Sequence, residues 1–338
     1  MRGRAAGTDP RGAPGAGCSA ALARRARPTG GGVRNRRAWV RWGGLVAGLV
    51  IIAALAWTVV DAWDVVTSFD WQPSAGWLAL AVALALASLT LSALAYEAIL
   101  GGLHRPAPPV LATVSAWARS LLGRYVPGNV LMVVGRAVMA ETHGVPKRVT
   151  VAATTYEQVI ALVAASLLAV VALLDIGSGS TIGPAAWLVL AVPLSAALLH
   201  PRVFGPLSSW ALGKVRRESL AALLPFGRVV LMIGWYLVTS ALLGFAVWAF
   251  MRGIGGPEVG DPIGVASGFL LAFVVSMLVF IVPSGLGVRD AILALVLSRQ
   301  VPGGVAVALS VGSRLFLIAV ELVFVALAAT AGRRRGGS

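Results

Sequence analysis

Charge and cysteine are both scarce in this sequence. Of 338 residues only 12% are charged, against about 25% in a soluble domain. That deficit is too large for a surface that faces water. The one cysteine, Cys18, excludes a disulfide framework or a cysteine-based metal site within the chain. The three histidines, His104, His143 and His200, show neither HExxH nor any paired-ligand spacing. A GxSxG elbow is missing. GSGSTIG at 177–183 is not a GxGxxG and no βαβ pattern surrounds it. Asp61 and Asp64 alone are a weak metal signal. With no catalytic constellation, no enzyme activity and no cofactor are expected.

What is abundant is hydrocarbon: 58% of residues are hydrophobic and the mean hydropathy is +0.86. Spanning a bilayer takes about 20 apolar residues, and runs of that kind lie at 42–60, 77–100, 149–174, 184–200, 229–250 and 304–330. They leave no stretch for a soluble catalytic domain. The net charge of +15 is concentrated in the tails: residues 1–41 hold ten arginines and Asp9, and Arg333, Arg334 and Arg335 add three more charges. The Gly-, Ala- and Pro-rich tail 1–41 cannot form a core and is expected to be disordered. Basic tails beside spans point to anionic lipid headgroups as partners. Without an aromatic–basic binding module they do not point to nucleic acid. The expected organisation is a tail at 1–41, a transmembrane domain at 42–330 and a second basic tail at 331–338.

Two further apolar segments, 108–142 and 264–299, are interrupted. The first breaks at Val126-Pro127-Gly128-Asn129 and the second at Val282-Pro283-Ser284-Gly285-Leu286-Gly287. Proline removes a backbone donor and glycine loosens a helix, so each segment predicts two short helices around a turn. Loop charges decide whether such a segment crosses. Lys147, Arg148, Lys214, Arg216, Arg217 and the terminal arginines share one side only if both segments re-enter. The predicted fold is therefore an all-α polytopic membrane protein of six spans and two re-entrant segments, forming an inverted repeat with both termini cytoplasmic, in the cell membrane. Broken helices at matching places in two halves point to a substrate site near the midplane.

Ionisable residues within the apolar segments are few, and each costs about 2.5–3.5 kcal/mol at mid-membrane. Arg136 and Arg289 follow the two breaks by nine and six residues. A guanidinium fork there suits the phosphate of a lipid headgroup; pairing with Glu141 and Asp290, or snorkelling, is the plainer role. Glu157 requires a partner, and an arginine of the re-entrant segment is the nearest candidate. Gln158 reads as interhelical glue or a ligand contact. Arg314 and Glu321, on one face of the last span, suit ion pairs with a neighbouring helix or a substrate contact.

Two stretches resemble a known family. RYVPGNVLMVVGRAVMAETHGVPKRVTVAATTYEQV resembles the YxPGKxxxxxGR…EQ signature of flippase-like membrane proteins similar to the lysylphosphatidylglycerol synthase transmembrane region. VPSGLGVRDAIL resembles their PGGLGxRE motif. Asn129 stands where lysine is common, and Ser284 and Asp290 replace Gly and Glu. The resemblance implies a module that moves phospholipids or lipid-linked molecules between leaflets. By position, Pro127, Gly128, Arg136, Glu157, Gln158, Pro283, Gly285, Gly287 and Arg289 carry it. The aminoacyl-transfer domain of the fused members is not expected here, so no synthase activity is implied. A scaffold for a separate lipid- or glycan-modifying enzyme, and a membrane-embedded lipid transferase, are the alternatives.

Overall fold

The structure is a computed structural model that describes residues 63–125, 130–177, 224–278 and 287–335, with the single helical residues Ala53, Trp57 and Val60. The tail 1–41, most of the span expected at 42–60, the span expected at 184–200, and Pro127, Gly128, Asn129, Pro283 and Gly285 lie outside the described residues. So does most of the basic loop 201–228.

Every regular element among the described residues is helical. In chain order these are α1 (Trp63–Ser68), α2 (Ala75–Leu103), α3 (Val110–Leu121) with a 3₁₀ turn over Leu122–Tyr125, and α4 (Val130–Glu141). They are followed by α5 (Lys147–Gly177), α6 (Phe226–Gly255), α7 (Pro262–Leu278), α8 (Val288–Leu297) and α9 (Gly303–Arg335). Proline starts many of them: Pro109, Pro146, Pro225 and Pro302 accept from the first turns of α3, α5, α6 and α9, where a missing N–H costs nothing. Asp261 caps α7, its Oδ1 accepting from Ile263 N at 3.1 Å and Gly264 N at 2.9 Å.

Among the described residues, four helices are long and apolar enough to cross a bilayer: those over Ala75–Leu103, Lys147–Leu174, Phe226–Glu258 and Gly303–Ala331. Their outward residues include Leu80, Leu167, Val171, Leu231, Val238, Leu315, Leu322 and Leu327, all exposed. In water such faces would forfeit about 25 cal/mol for each Å² of apolar surface; in lipid they cost nothing. The chain is a multi-pass membrane protein. Both interrupted segments appear as pairs of short helices, α3 with α4 and α7 with α8, flanking 126–129 and 279–286.

Helices α2 and α6 pack along each other, and α3, α5, α7 and α9 each lie against one or both of them. α5 lies on α7 and α9 on α3; α4 lies on α5 and α8 on α9; α3 lies on α4 and α7 on α8. The core divides into two main clusters. One gathers Tyr96, Trp117, Tyr156, Met232 and Tyr236 with Phe324 of α9. The other gathers the aliphatic residues of α7 and α8 around Phe250, Phe269 and Leu309. Tyr96 is near the end of α2 and Tyr236 near the start of α6, whereas Ala81 and Phe250 occupy the reverse positions. The two clusters therefore sit at opposite ends of the bundle.

Candidate functional site

Arg136 is the largest fully buried side chain in the first cluster, 1% exposed. It lies two turns into α4, and α2, α3, α5 and α6 close around it. Its Nη1 donates to Glu157 Oε2 of α5, and its Nε donates to Ser120 Oγ of α3 at 3.0 Å. The guanidinium lies over the Tyr96 ring of α2 at 4.4 Å, with the Trp117 ring 5.8 Å away. Glu157 is equally enclosed, its Oε1 accepting from Trp117 Nε1 at 2.6 Å. Tyr236 of α6 is buried within electrostatic reach of Glu157 and Arg136, and its hydroxyl finds no hydrogen-bond partner among the described residues.

Charge balance explains why this arrangement holds. An arginine or a glutamate alone in hydrocarbon would be strongly disfavoured. Together they are neutral, and both carboxylate oxygens have donors. Removing one partner would strand the other. A cleft of about 10 Å³, room for a single water, reaches Arg136; Leu100, Pro108, Thr113, Ala140 and His143 line it along with Tyr96.

The second half carries an ion pair of reversed sign. Here the acid is on the short helix: Arg314 Nη1 of α9 donates to Asp290 Oδ2 of α8 at 2.7 Å. Asp290 also accepts from Gly287 N at 3.2 Å, tying the carboxylate to the start of its own helix. Gly287 has φ 81°, a left-handed conformation that glycine adopts without a Cβ penalty. The neighbouring Arg289 lies over the Phe269 ring of α7 at 4.1 Å.

A third pair joins the halves: Arg124 of the 3₁₀ turn bridges to Glu321 of α9. The chain is tight here, since a Cβ on Gly123 would stand 2.6 Å from Met132 N. Glu141 meets Lys147 at 2.8 Å on the surface rather than Arg136.

Of the residues singled out in the sequence, the structure brings Arg136 and Glu157 together, as the need of Glu157 for an arginine of the interrupted segment predicts. Gln158 is half-buried beside them. Arg314 and Glu321 each find a partner on another element. Arg136 and Arg289 lie in separate clusters, one against Tyr96 and the other against Phe269. No motif or spacing singles out Tyr96, Trp117, Ser120 and Tyr236. The available signal is that Tyr and Trp within an apolar run still carry a hydroxyl or N–H that seeks a partner.

A comparison with curated proteins finds no match. Residues 45–325 match the family described as Lysylphosphatidylglycerol synthase TM region. They take in both interrupted segments, the Arg136–Glu157 cage and the Asp290–Arg314 pair. The chain belongs to this family.

Proposed function

We infer that this membrane domain moves an anionic phospholipid or a lipid-linked molecule between leaflets, with no covalent chemistry of its own. In this reading Arg136 is a phosphate-binding group that Glu157 holds in reserve. The observation that carries it is the Arg136–Glu157 pair itself, buried between the helix after a break and the next, with a cleft that reaches Arg136. A phosphodiester offers the guanidinium the same oxygens as the carboxylate does. Exchange of one anion for the other therefore leaves the buried charge balanced, provided Glu157 takes up a proton or another donor. Arg289 plays the corresponding part beyond the second break, and Arg314 and Glu321 line the route.

The helix contacts support an inverted repeat in the full layout of six spans and two re-entrant segments. If α2, α3, α4 and α5 correspond to α6, α7, α8 and α9, each packed pair in one half has its counterpart in the other. The contact of α5 with α7 becomes that of α9 with α3, and α4 with α5 becomes α8 with α9. The sign-reversed ion pairs obey the same correspondence. Such repeats let two halves rock about a central site. The charge distribution supports cytoplasmic termini and a place in the cell membrane.

One observation favours a second reading, a non-transporting scaffold for a lipid- or glycan-modifying enzyme. Both carboxylate oxygens of Glu157 already have a donor, as in a purely structural pair. Headgroup-labelled lipid exchange in liposomes separates the two, using the protein, Arg136→Lys and Arg289→Ala. Loss of exchange in both variants supports transport through the arginines. Exchange that survives both overturns the phosphate role, and no exchange by the unaltered protein over several lipid classes favours the scaffold.

A further inference from the structure

A second set of charged groups lies outside the Arg136 cage. Glu97 follows Tyr96 on α2, so a turn of about 100° carries its side chain away from the cage. It faces an open groove of about 370 Å³ between the end of α2, the loop after it and the start of α6. Arg105 of the loop and Arg228 of α6 line the same groove, with Leu231, Met232 and Trp235 as its apolar wall. Arg228 is laid across the backbone of Gly102, where a Cβ would stand 2.6 Å from its Nη1. Glu97 Oε1 stands 3.7 Å from the Cβ position of Gly101. Gly102 thus lets the Arg228 charge lie close to the helix end, and Glu97 stands beside it.

Two arginines and one glutamate in one groove make neither a purely anionic nor a purely cationic site. No side chain of the three forms an ion pair or hydrogen bond among the described residues, although the opposite charges share a wall. Complementarity calls for a ligand with an anion and a cation a few bonds apart. The apolar wall, with Leu231 64% exposed, calls for hydrocarbon attached to it.

We propose that this groove binds a phospholipid whose headgroup carries a primary ammonium beside its phosphate. The phosphate meets Arg105 and Arg228, the ammonium meets Glu97, and an acyl chain lies along Leu231, Met232 and Trp235. Trp235 is held for this role, its Nε1 donating to Leu91 O at 3.0 Å, so that the ring remains an apolar wall. The site stands on the groove and on a membrane setting. It holds whether the lipid bound there is transported or resident.

Native mass spectrometry on the detergent-purified full chain tests it, with phosphatidylethanolamine and phosphatidylglycerol of identical acyl chains as probes. The expected result is tighter binding of phosphatidylethanolamine, by about threefold to tenfold, the scale of one partly exposed charged contact. Glu97→Gln removes that preference while phosphatidylglycerol still binds, which shows the variant to be folded. Arg105→Gln and Arg228→Gln weaken both lipids by about threefold to tenfold each. If Glu97→Gln loses both lipids, Glu97→Asp decides: restored preference supports the site, and no restoration overturns it. A preference that survives Glu97→Gln, equal binding of the two lipids by the unaltered protein, or indifference to both arginine variants also overturns it. Displacement of the lipid by soluble glycerophosphoethanolamine at equal concentration would overturn the role of the apolar wall. These outcomes concern binding alone, so they are separable from loss of exchange in the liposome experiment.

Discussion

The two ends of the bundle solve one problem in opposite ways. Each places an ion pair between the short helix after an interruption and the long helix that follows. At the Arg136 end the cation is on the short helix, and both side chains are within a few per cent of complete burial. At the Asp290 end the acid is on the short helix, and Arg314 keeps 19% of its side chain exposed. The first pair is enclosed by aromatic rings and a serine; the second is braced by a backbone N–H. The difference shows what the reversal of sign requires. A buried guanidinium needs rings and several acceptors around it, whereas an aspartate at the start of a helix can use the N–H of its own first turn. The Arg136 end is consequently the more rigid and the more costly to disturb.

Substitutions can break this comparison, and the largest effect belongs to Glu157. Glu157→Gln leaves Arg136 charged and buried, and a loss of about 3–5 kcal/mol is expected, read as a large drop in Tm or failure to purify as a monodisperse species. The paired replacement Arg136→Met with Glu157→Leu should recover most of that stability while abolishing lipid exchange. If the double variant stays as unstable as the single, charge balance is not what holds the cage. Trp117→Phe comes next. It takes the donor from Glu157 Oε1 and should cost about 2 kcal/mol, measured by the same thermal unfolding.

At the other end, Asp290→Asn weakens a partly hydrated pair and should cost about 1–2 kcal/mol. A cost equal to that of Glu157→Gln would show that the two ends are equally closed. Lys147→Ala sets the baseline. Its pair with Glu141 is about half exposed on both sides, so a change below about 0.5 kcal/mol is expected. A larger loss would mean that surface charge contributes more to this bundle than its burial suggests.

Much of this architecture is legible in the amino-acid sequence. The interruptions of 108–142 and 264–299 follow from proline and glycine chemistry, and helices stop and restart on either side of both. That Glu157 meets an arginine of the interrupted segment follows from the cost of a lone carboxylate in hydrocarbon. The cage around the pair is not legible. Tyr96, Trp117, Ser120 and Tyr236 come from three separate helices, and no spacing rule links them. For Arg314 and Glu321 the residue pattern calls for partner helices without naming them. Asp290 and Arg124 become those partners only because α9 lies against α8 and α3.

The sequence by itself determined the solvent. A chain so apolar and so poor in charge must meet lipid, and its few internal charges must be paired or put to use. It also determined where the helices break, because a proline's missing N–H and a glycine's missing side chain are local facts. Only the tertiary structure decided which charge met which, and which stayed apart. Pairing depends on which faces of separate helices are brought together, and a helix turn of about 100° sends Tyr96 into the cage and Glu97 into the groove.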